Sequence, residues 1–435
     1  MILNKAIEKV KAPENLEYKI MNEMNSKKQG KILYKRGLIA ASLALAVFTT
    51  SVVAINAENI KEAIRSISSY FMENKNSLYT TEEKKLENIN KGLGVSVELE
   101  GKKFTLDSIS LDDNFMFVFY TVESESPIEK ADDPHWTALF SAPFVFYSIN
   151  GEDPTNNNRE AYFESDYILK GMDRINISQM DIPSKFILKA RTNLSNEPTM
   201  KKTLRWEIEA QIDKSEFAVE SKTIRPNINT IIDDHDVAIE KVVISPLGNQ
   251  IVVNSSDFIQ FALFDDKDNS LDVLNTSFTG GATNSFEFLG GKQDMEYIKL
   301  VPLKYIADGG ESDMIYKDIG NYPITFELSE YGSIVVTNVE IKDKEVRITY
   351  YKDGVTLYDP GFSFQDENGN EVILSKHGAY FDMSIDRENK TYTQILTVYS
   401  EENNLNKIKK LGTFKNNGSN SFTLDFDNAV KIPIK

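Results

Sequence analysis

Nineteen consecutive residues, Gly37 to Ile55 (GLIAASLALAVFTTSVVAI), carry no charge. Wound as a helix at about 1.5 Å per residue they reach roughly 28 Å, close to the ~30 Å hydrocarbon thickness of a bilayer. The stretch predicts a transmembrane helix over 37–56. Two readings compete with it. A cleaved secretory signal has a short basic region and an apolar core of about 7 to 15 residues, whereas here 36 residues precede a longer core and only Val52-Val53-Ala54 resembles a cleavage site. A buried helix of a soluble protein is the other alternative. The leader holds nine Lys or Arg against four Glu, with Lys27, Lys28, Lys31, Lys35 and Arg36 crowded at the start of the span, and residues 57–92 balance six basic against six acidic side chains. The positive-inside rule then places the N-terminus in the cytoplasm and everything after Asn56 outside.

That division separates opposite charges. The whole chain of 435 residues carries −17, the leader +5 and residues 37–92 zero, so −22 falls on residues 93–435. An exterior this acidic excludes direct nucleic-acid binding, because phosphate contacts need clustered Lys and Arg. With no Cys, disulfides, thiol nucleophiles and thiolate zinc sites are excluded as well. A multi-domain exported protein without disulfides fits a bacterial surface better than a disulfide-forming secretory pathway.

Within the leader, residues 1–36, Leu3, Ile7 and Val10 fall on one helical face. After Pro13, Leu16, Ile20 and Met24 repeat the four-residue spacing. Two amphipathic helices this short cannot bury their apolar faces unaided and need a surface to dock on. The spacing predicts a cytoplasmic partner-binding segment; the competing reading is adhesion to the anionic lipid surface of the bilayer.

The order Ala6-Ile7, Pro13-Glu14-Asn15-Leu16, Ile20 and Met24, followed by a basic cluster, one span and an exported β-rich region, resembles membrane-anchored anti-sigma factors of low-GC Gram-positive bacteria. The resemblance implies that the leader holds an extracytoplasmic-function sigma factor at the membrane. It also implies that the outer part senses a signal or is cut by a membrane-associated protease to release that factor. The chain departs from the better-marked branch of the family, since it has no His and Cys zinc motif, and 36 residues are short for a complete sigma-wrapping domain.

Residues 57–92 read as a helical connector. Ile60, Ile64, Ile67 and Phe71 form a helical stripe that either extends the span or docks on the first outer domain. Thr80 and Glu83 have capping-box spacing before a helix carrying Leu86 and Ile89, and Asn74 to Thr81 reads as an exposed break, either a plain spacer or a protease target.

From Val95 the periodicity changes from helical to alternating: Val95, Val97, Leu99; Phe104, Leu106; Phe115, Phe117, Phe119. Hairpin-like segments recur at 109–119, 243–253 and 339–348, each followed by a second strand and polar turn at 144–151, 261–269 and 362–370. The expected fold is therefore mainly β, with short N-terminal amphipathic helices, one transmembrane helix, and tandem immunoglobulin-like antiparallel β-sandwiches. Two or three are expected, placed at 93–221, 222–331 and 332–435. The first carries the longest loops, 123–134 and 150–159, and both tryptophans. Trp136, beside His135, Asp132 and Asp133, is the candidate ligand contact; its competing role is core packing.

Motifs for chemistry are missing. Counting from Asp266 or Asp366, a calcium loop lacks Gly at position six and Glu at position twelve, and turn formation explains both acid-rich segments better. The three histidines, His135, His235 and His377, fall in different expected domains. No nucleophile elbow, P-loop or dinucleotide fingerprint is present. The sequence thus predicts a non-enzymatic single-pass regulator without cofactor or metal, with a membrane-tethered adhesion or ligand-binding protein as the alternative.

Overall fold

The computed structural model describes residues 67–74, 77–194, 204–217, 220–257, 259–278, 283–306, 313–357, 359–376, 378–400, 403–415 and 421–435. The leader with Leu3, Ile7, Val10, Leu16, Ile20 and Met24, the basic cluster Lys27 to Arg36, the expected span, and His377 all lie outside the described residues. Among the described residues no helix is long and apolar enough to cross a membrane. They all fall within one compact unit.

The alternating segments form strands. In the first sandwich these are Asn90–Leu99 (β1), Lys102–Leu111 (β2), Phe115–Ser124 (β3), Phe144–Ile149 (β4), Thr155–Ser165 (β5), Ile168–Asn176 (β6), Lys185–Leu194 (β7) and Leu204–Asp213 (β8). One antiparallel sheet runs β1-β2-β3-β6-β5 and faces a second, β4-β7-β8. Leu106, Val118 and Tyr120 from one meet Val145, Leu188 and Ile208 from the other in a single core. Trp206 belongs to that core, 1 % exposed and stacked on Phe104 at 5.6 Å. The second half of the expected loop 150–159 belongs to strand β5.

The second unit contains Lys222–Ile224 (β9), Ile228–Ile232 (β10), His235–Ile244 (β11), Asn249–Ser255 (β12), Phe261–Phe264 (β13), Ser270–Leu271 (β14), Val273–Phe278 (β15), Thr283–Phe288 (β16) and Tyr297–Tyr305 (β17). The third contains Asp313–Asp318 (β18), Ile324–Glu327 (β19), Gly332–Lys342 (β20), Glu345–Gly354 (β21), Phe362–Gln365 (β22), Tyr380–Asp386 (β23), Thr391–Thr397 (β24) and Lys410–Lys415 (β25), and the chain finishes with Phe422–Leu424 (β26) and Val430–Pro433 (β27). Their larger sheets run β10-β11-β12-β16-β15, with β9 also paired to β11, and β19-β20-β21-β24-β23, the same order as in the first unit. The three recurring hairpins, β2-β3, β11-β12 and β20-β21, also share a register break about midway along the first strand, at Leu106/Ser108, Ile239/Lys241 and Val336/Asn338. A bulge at the same place in each strengthens the local twist that lets the sheet wrap its partner.

The opposing sheets cut the chain differently from the boundary expected at 331/332. In the first unit β8 follows β7 and pairs with it. In the second, the strand that follows β17 is β18, which pairs with β25 of the third sandwich; β26 and β27, after β25, return to pair with β17. The third sandwich, residues 313–415, is therefore inserted between β17 and β26 of the second. Val430, Ile432 and Ile434 sit in the second core although they end the chain, and residues 313–327 belong to the third sandwich. Alternation reports that a segment is a strand and which face is apolar, but not which of two similar sheet edges receives it.

Both acid-rich turns are closed by their own residues. The Asp265 carboxylate accepts the amides of Lys267 and Asn269 and the side-chain amide of Asn269, and Asp366 does the same with Asn368 and Asn370. These bonds explain the acid-rich sequences without a metal.

Candidate functional site: the docked connector

An antiparallel sheet commonly keeps one face wet. Strand β3 does not: Phe115 through Tyr120 are all buried. Met116, Val118 and Tyr120 point into the sandwich core, while Phe115, Phe117 and Phe119 point outward and are covered by the connector. The covering residues are Ile67, Tyr70 and Phe71 from helical residues 67–73, then Tyr79, Leu86 and Ile89, with Met172 and Leu247 completing the cluster. The rings meet edge to face, Tyr70 on Phe119 at 5.5 Å and Tyr79 on Phe117 at 5.4 Å, an arrangement that adds to the burial of the rings themselves. Of the expected helical stripe, Ile67 and Phe71 dock on the first sandwich; Ile60 and Ile64 lie outside the described residues.

The segment expected to be an exposed break is held in place. Ser77 Oγ and the Leu78 amide donate to the two carboxylate oxygens of Glu160 on β5, at 2.6 and 2.8 Å. Asn158 Nδ2 donates to Tyr79 Oη at 3.1 Å, and Ser77 and Tyr79 are buried. Burial pushes the Glu160 carboxyl up to about 7, against the lowering pull of the Ser77 and Leu78 donors. Thr80 makes no cap: its hydroxyl donates to Ser77 O at 2.7 Å, and the helix Glu83–Asn88 begins without a side-chain cap. Tertiary packing of Leu86 under the sheet supplies what the missing cap does not.

Beyond this point the connector meets the other two sandwiches. Glu82, 2 % exposed, faces Arg387 in the turn between β23 and β24, and Arg387 also donates to Glu287 of β16. Glu287 receives a second guanidinium, from Arg174 of β6, through two bonds of 2.6 and 3.1 Å. The Arg174 guanidinium lies 3.6 Å from the centroid of the Phe115 ring. Burial alone would push the Glu287 carboxyl up, but Arg174 and then Arg387 hold it down at about 2. Four side chains from four separate parts of the chain thus form a neutral buried cluster of two Arg and two Glu. A second tie links the first two sandwiches: Asp112 accepts the amides of Asn114, Phe115 and Leu247, and burial still pushes it up to about 6.

The β23-β24 hairpin straps this assembly. At its far end His135 Nε2 lies 2.7 Å from Asp382 Oδ2 and its ring stacks on Tyr380 at 4.8 Å. Midway, Thr81 Oγ1 donates to Ile385 O at 3.2 Å, and Arg387 lies at the tip. Trp136, 37 % exposed, packs edge-on against Tyr380 at 5.2 Å and Phe140 at 5.8 Å. It therefore joins the first and third sandwiches, and part of the ring remains open to solvent. His235 lies apart, 3.6 Å from Asp257.

Sequence reading singled out Trp136 but not Glu82, Glu160, Arg174, Glu287 or Arg387. These residues have no mutual spacing in the chain. The signal that was available is the unbroken apolar run of β3, which in an antiparallel sheet means that both faces are covered.

Two family models match parts of the chain: residues 29–124 match a domain of unknown function (DUF4179), and residues 221–328 match a family of unknown function (DUF5643). No curated protein matches. Among solved structures, the conserved domain protein from Bacillus anthracis aligns at 14 % identity and TM-score 0.34, over 52 % of this chain and 81 % of its own. The N-terminal eight Ig domains of Down Syndrome Cell Adhesion Molecule align at 8 % identity and TM-score 0.15, over 74 % of this chain and 43 % of theirs. The cycloalternan-forming enzyme from Listeria monocytogenes aligns at 10 % identity and TM-score 0.15, over 69 % and 29 %.

Proposed function

We propose that the protein is a single-pass membrane regulator of the anti-sigma type. In this reading its leader, residues 1–36, holds a sigma factor in the cytoplasm, residues 37–56 span the bilayer, and outer immunoglobulin-like sandwiches gate release by proteolysis of the connector. The observation that carries this reading is the buried docking of residues 67–89 against Phe115, Phe117 and Phe119, fastened by Glu160 and Arg387. A spacer that only separates a membrane from a domain has no need to be buried at Ser77 and Tyr79. A segment whose cutting must be withheld does, since proteases need several residues of extended, accessible backbone. The charge division along the chain and the amphipathic leader support the same topology.

The test uses the full-length protein in detergent micelles and a version lacking residues 1–36, each challenged with purified extracytoplasmic-function sigma factors. Retention by the first and not by the second is expected. No retention by either removes the anti-sigma assignment.

A second reading, a tethered ligand-binding or adhesion protein, is favoured by exposed rings in the first sandwich. Trp136, Phe140, Phe144 and Phe146 are 37, 59, 48 and 47 % exposed within eleven residues. This reading predicts that deleting residues 1–30 leaves the phenotype intact, whereas the regulator reading predicts altered transcription.

A further inference from the structure

Glu82 is a buried charge that its surroundings serve poorly. Both carboxylate oxygens are buried without a hydrogen bond, and the cations facing them stand off, Lys85 Nζ at 3.3 Å and Arg387 Nε at 4.0 Å. Arg387 gives its Nη1 to Glu287 instead. Those same two cations, Lys85 and Arg387, line an open cleft of about 520 Å³ at the meeting of the connector with the second and third sandwiches. The volume is that of a small-molecule site.

We propose that this cleft binds a small organic anion, a carboxylate or phosphate head on an apolar body, which takes Lys85 and Arg387 from Glu82 and so releases the connector. The proposal rests on the reading of the connector as the regulated element. Glu82 is then an internal occupant of an anion site, held at ion-pair distance only. A ligand oxygen entering from the cleft makes direct charge-assisted hydrogen bonds to the same ammonium and guanidinium, which Glu82 does not. Once its cations are engaged elsewhere, Glu82 becomes a buried, unpaired charge, and the segment that carries it is driven out toward water. Lys292 adds a third cation at the wall, and the half-buried Pro246 supplies an apolar surface for the body. Glu220 and Glu388 on the same lining select against polyanions.

The experiment uses the full-length chain in lipid nanodiscs, with phenyl phosphate and inorganic phosphate as probes. Binding is read by calorimetry, and connector release independently by the rate at which an added protease cuts within residues 72–89. Phenyl phosphate is expected to bind saturably, at least ~10-fold more tightly than inorganic phosphate, and to raise connector cutting ~10-fold at saturation, a usual size for coupling between two sites. Glu82→Gln is expected to tighten binding, because linkage is reciprocal. Lys85→Gln, at a side chain 34 % exposed, is expected to weaken it ~10-fold and, by taking one cation from Glu82, to raise cutting without ligand. Absence of saturable binding, binding indifferent to Lys85→Gln, or binding without faster cutting each overturns the proposal. A ligand-driven rise in cutting that persists in Glu82→Gln overturns the proposal, whereas failure of sigma-factor retention, with binding and cutting as expected here, removes only the anti-sigma reading.

Discussion

The first sandwich and the pair that follows it share one topology but are closed in different ways. The first builds both sheets from its own consecutive residues, β1 to β8. The third also uses consecutive strands, β18 to β25, but it is inserted into the second, which only β26 and β27 complete. Two chain crossings tie the inserted sandwich to its host, Leu289 of the second lies in the third core, and Val355 packs with Phe264, Leu303 and Phe422, which makes the pair a single frame. The first sandwich shares no sheet with that frame and is held to it, beyond the chain link from β8 to β9, by bonds such as Asp112 to the Leu247 amide, Arg174 to Glu287 and His135 to Asp382. The connector touches both bodies, with its rings on β3 and Glu82 at Arg387. It is therefore placed to report any change in how the first sandwich sits against the frame.

The strongest test of this contrast removes residues 422–435. The loss of Phe422, Val430, Ile432 and Ile434 from buried positions should cost the second sandwich more than about 5 kcal/mol. Because Leu289 packs in the third core and Val355 packs with Phe422, the third sandwich should lose protection with it while the first keeps its own, as read by hydrogen exchange. Independent loss of the second alone would show that the pair is not one frame.

Phe117→Ala attacks the connector where it rests on the first sandwich. Phe117 is 1 % exposed and meets Tyr79 edge to face, so a loss of about 3 to 4 kcal/mol is expected. The effect should concentrate in residues 67–89, and limited proteolysis should show it as faster cutting there. Uniform destabilisation with an unaltered cutting rate would argue against docking on β3.

Arg174→Gln attacks the tie between the bodies. It leaves Glu287 buried with one cation instead of two, at a cost of about 3 kcal/mol at neutral pH. The pH dependence has a definite sign. The folded carboxyl is held at about 2, below its ordinary 4.5, so its contribution is complete above 4.5 and disappears as pH falls toward 2. In the variant this acid sensitivity should shrink. An unchanged acid transition in chemical denaturation would contradict the assignment.

Glu160 gives the smallest effect and the opposite sign. Its folded carboxyl is raised to about 7, so the docked state binds a proton that the released state does not between pH 4.5 and 7. Docking is therefore firmest below pH 4.5 and weakens as pH rises through 7, by at most about 3 kcal/mol. Glu160→Gln should abolish this dependence, measured as connector cutting at pH 5 and pH 8 with a protease active at both.

Several of these features were legible in the chain itself. Period-two alternation from Val95 onward marked the strands, and the hairpin segments at 109–119, 243–253 and 339–348 marked the repeating unit that became three sheets of one strand order. The connector helix around Leu86 was readable from its spacing, although its capping box did not form. The return of β26 and β27 to β17, past the whole third sandwich, was not readable, because similar sheet edges accept similar strands.

What the sequence determined alone is local: which segments are strands or helix, which face of each is apolar, and where charge is concentrated. Those properties follow from side-chain spacing and need no knowledge of neighbours. The tertiary structure decided that Phe115, Phe117 and Phe119 are covered by residues 67–89, and that Glu82, Arg174, Glu287 and Arg387 share one dry site. Burial and charge pairing depend on distance in space, and residues separated by hundreds of positions carry no mark in the chain of having been brought together.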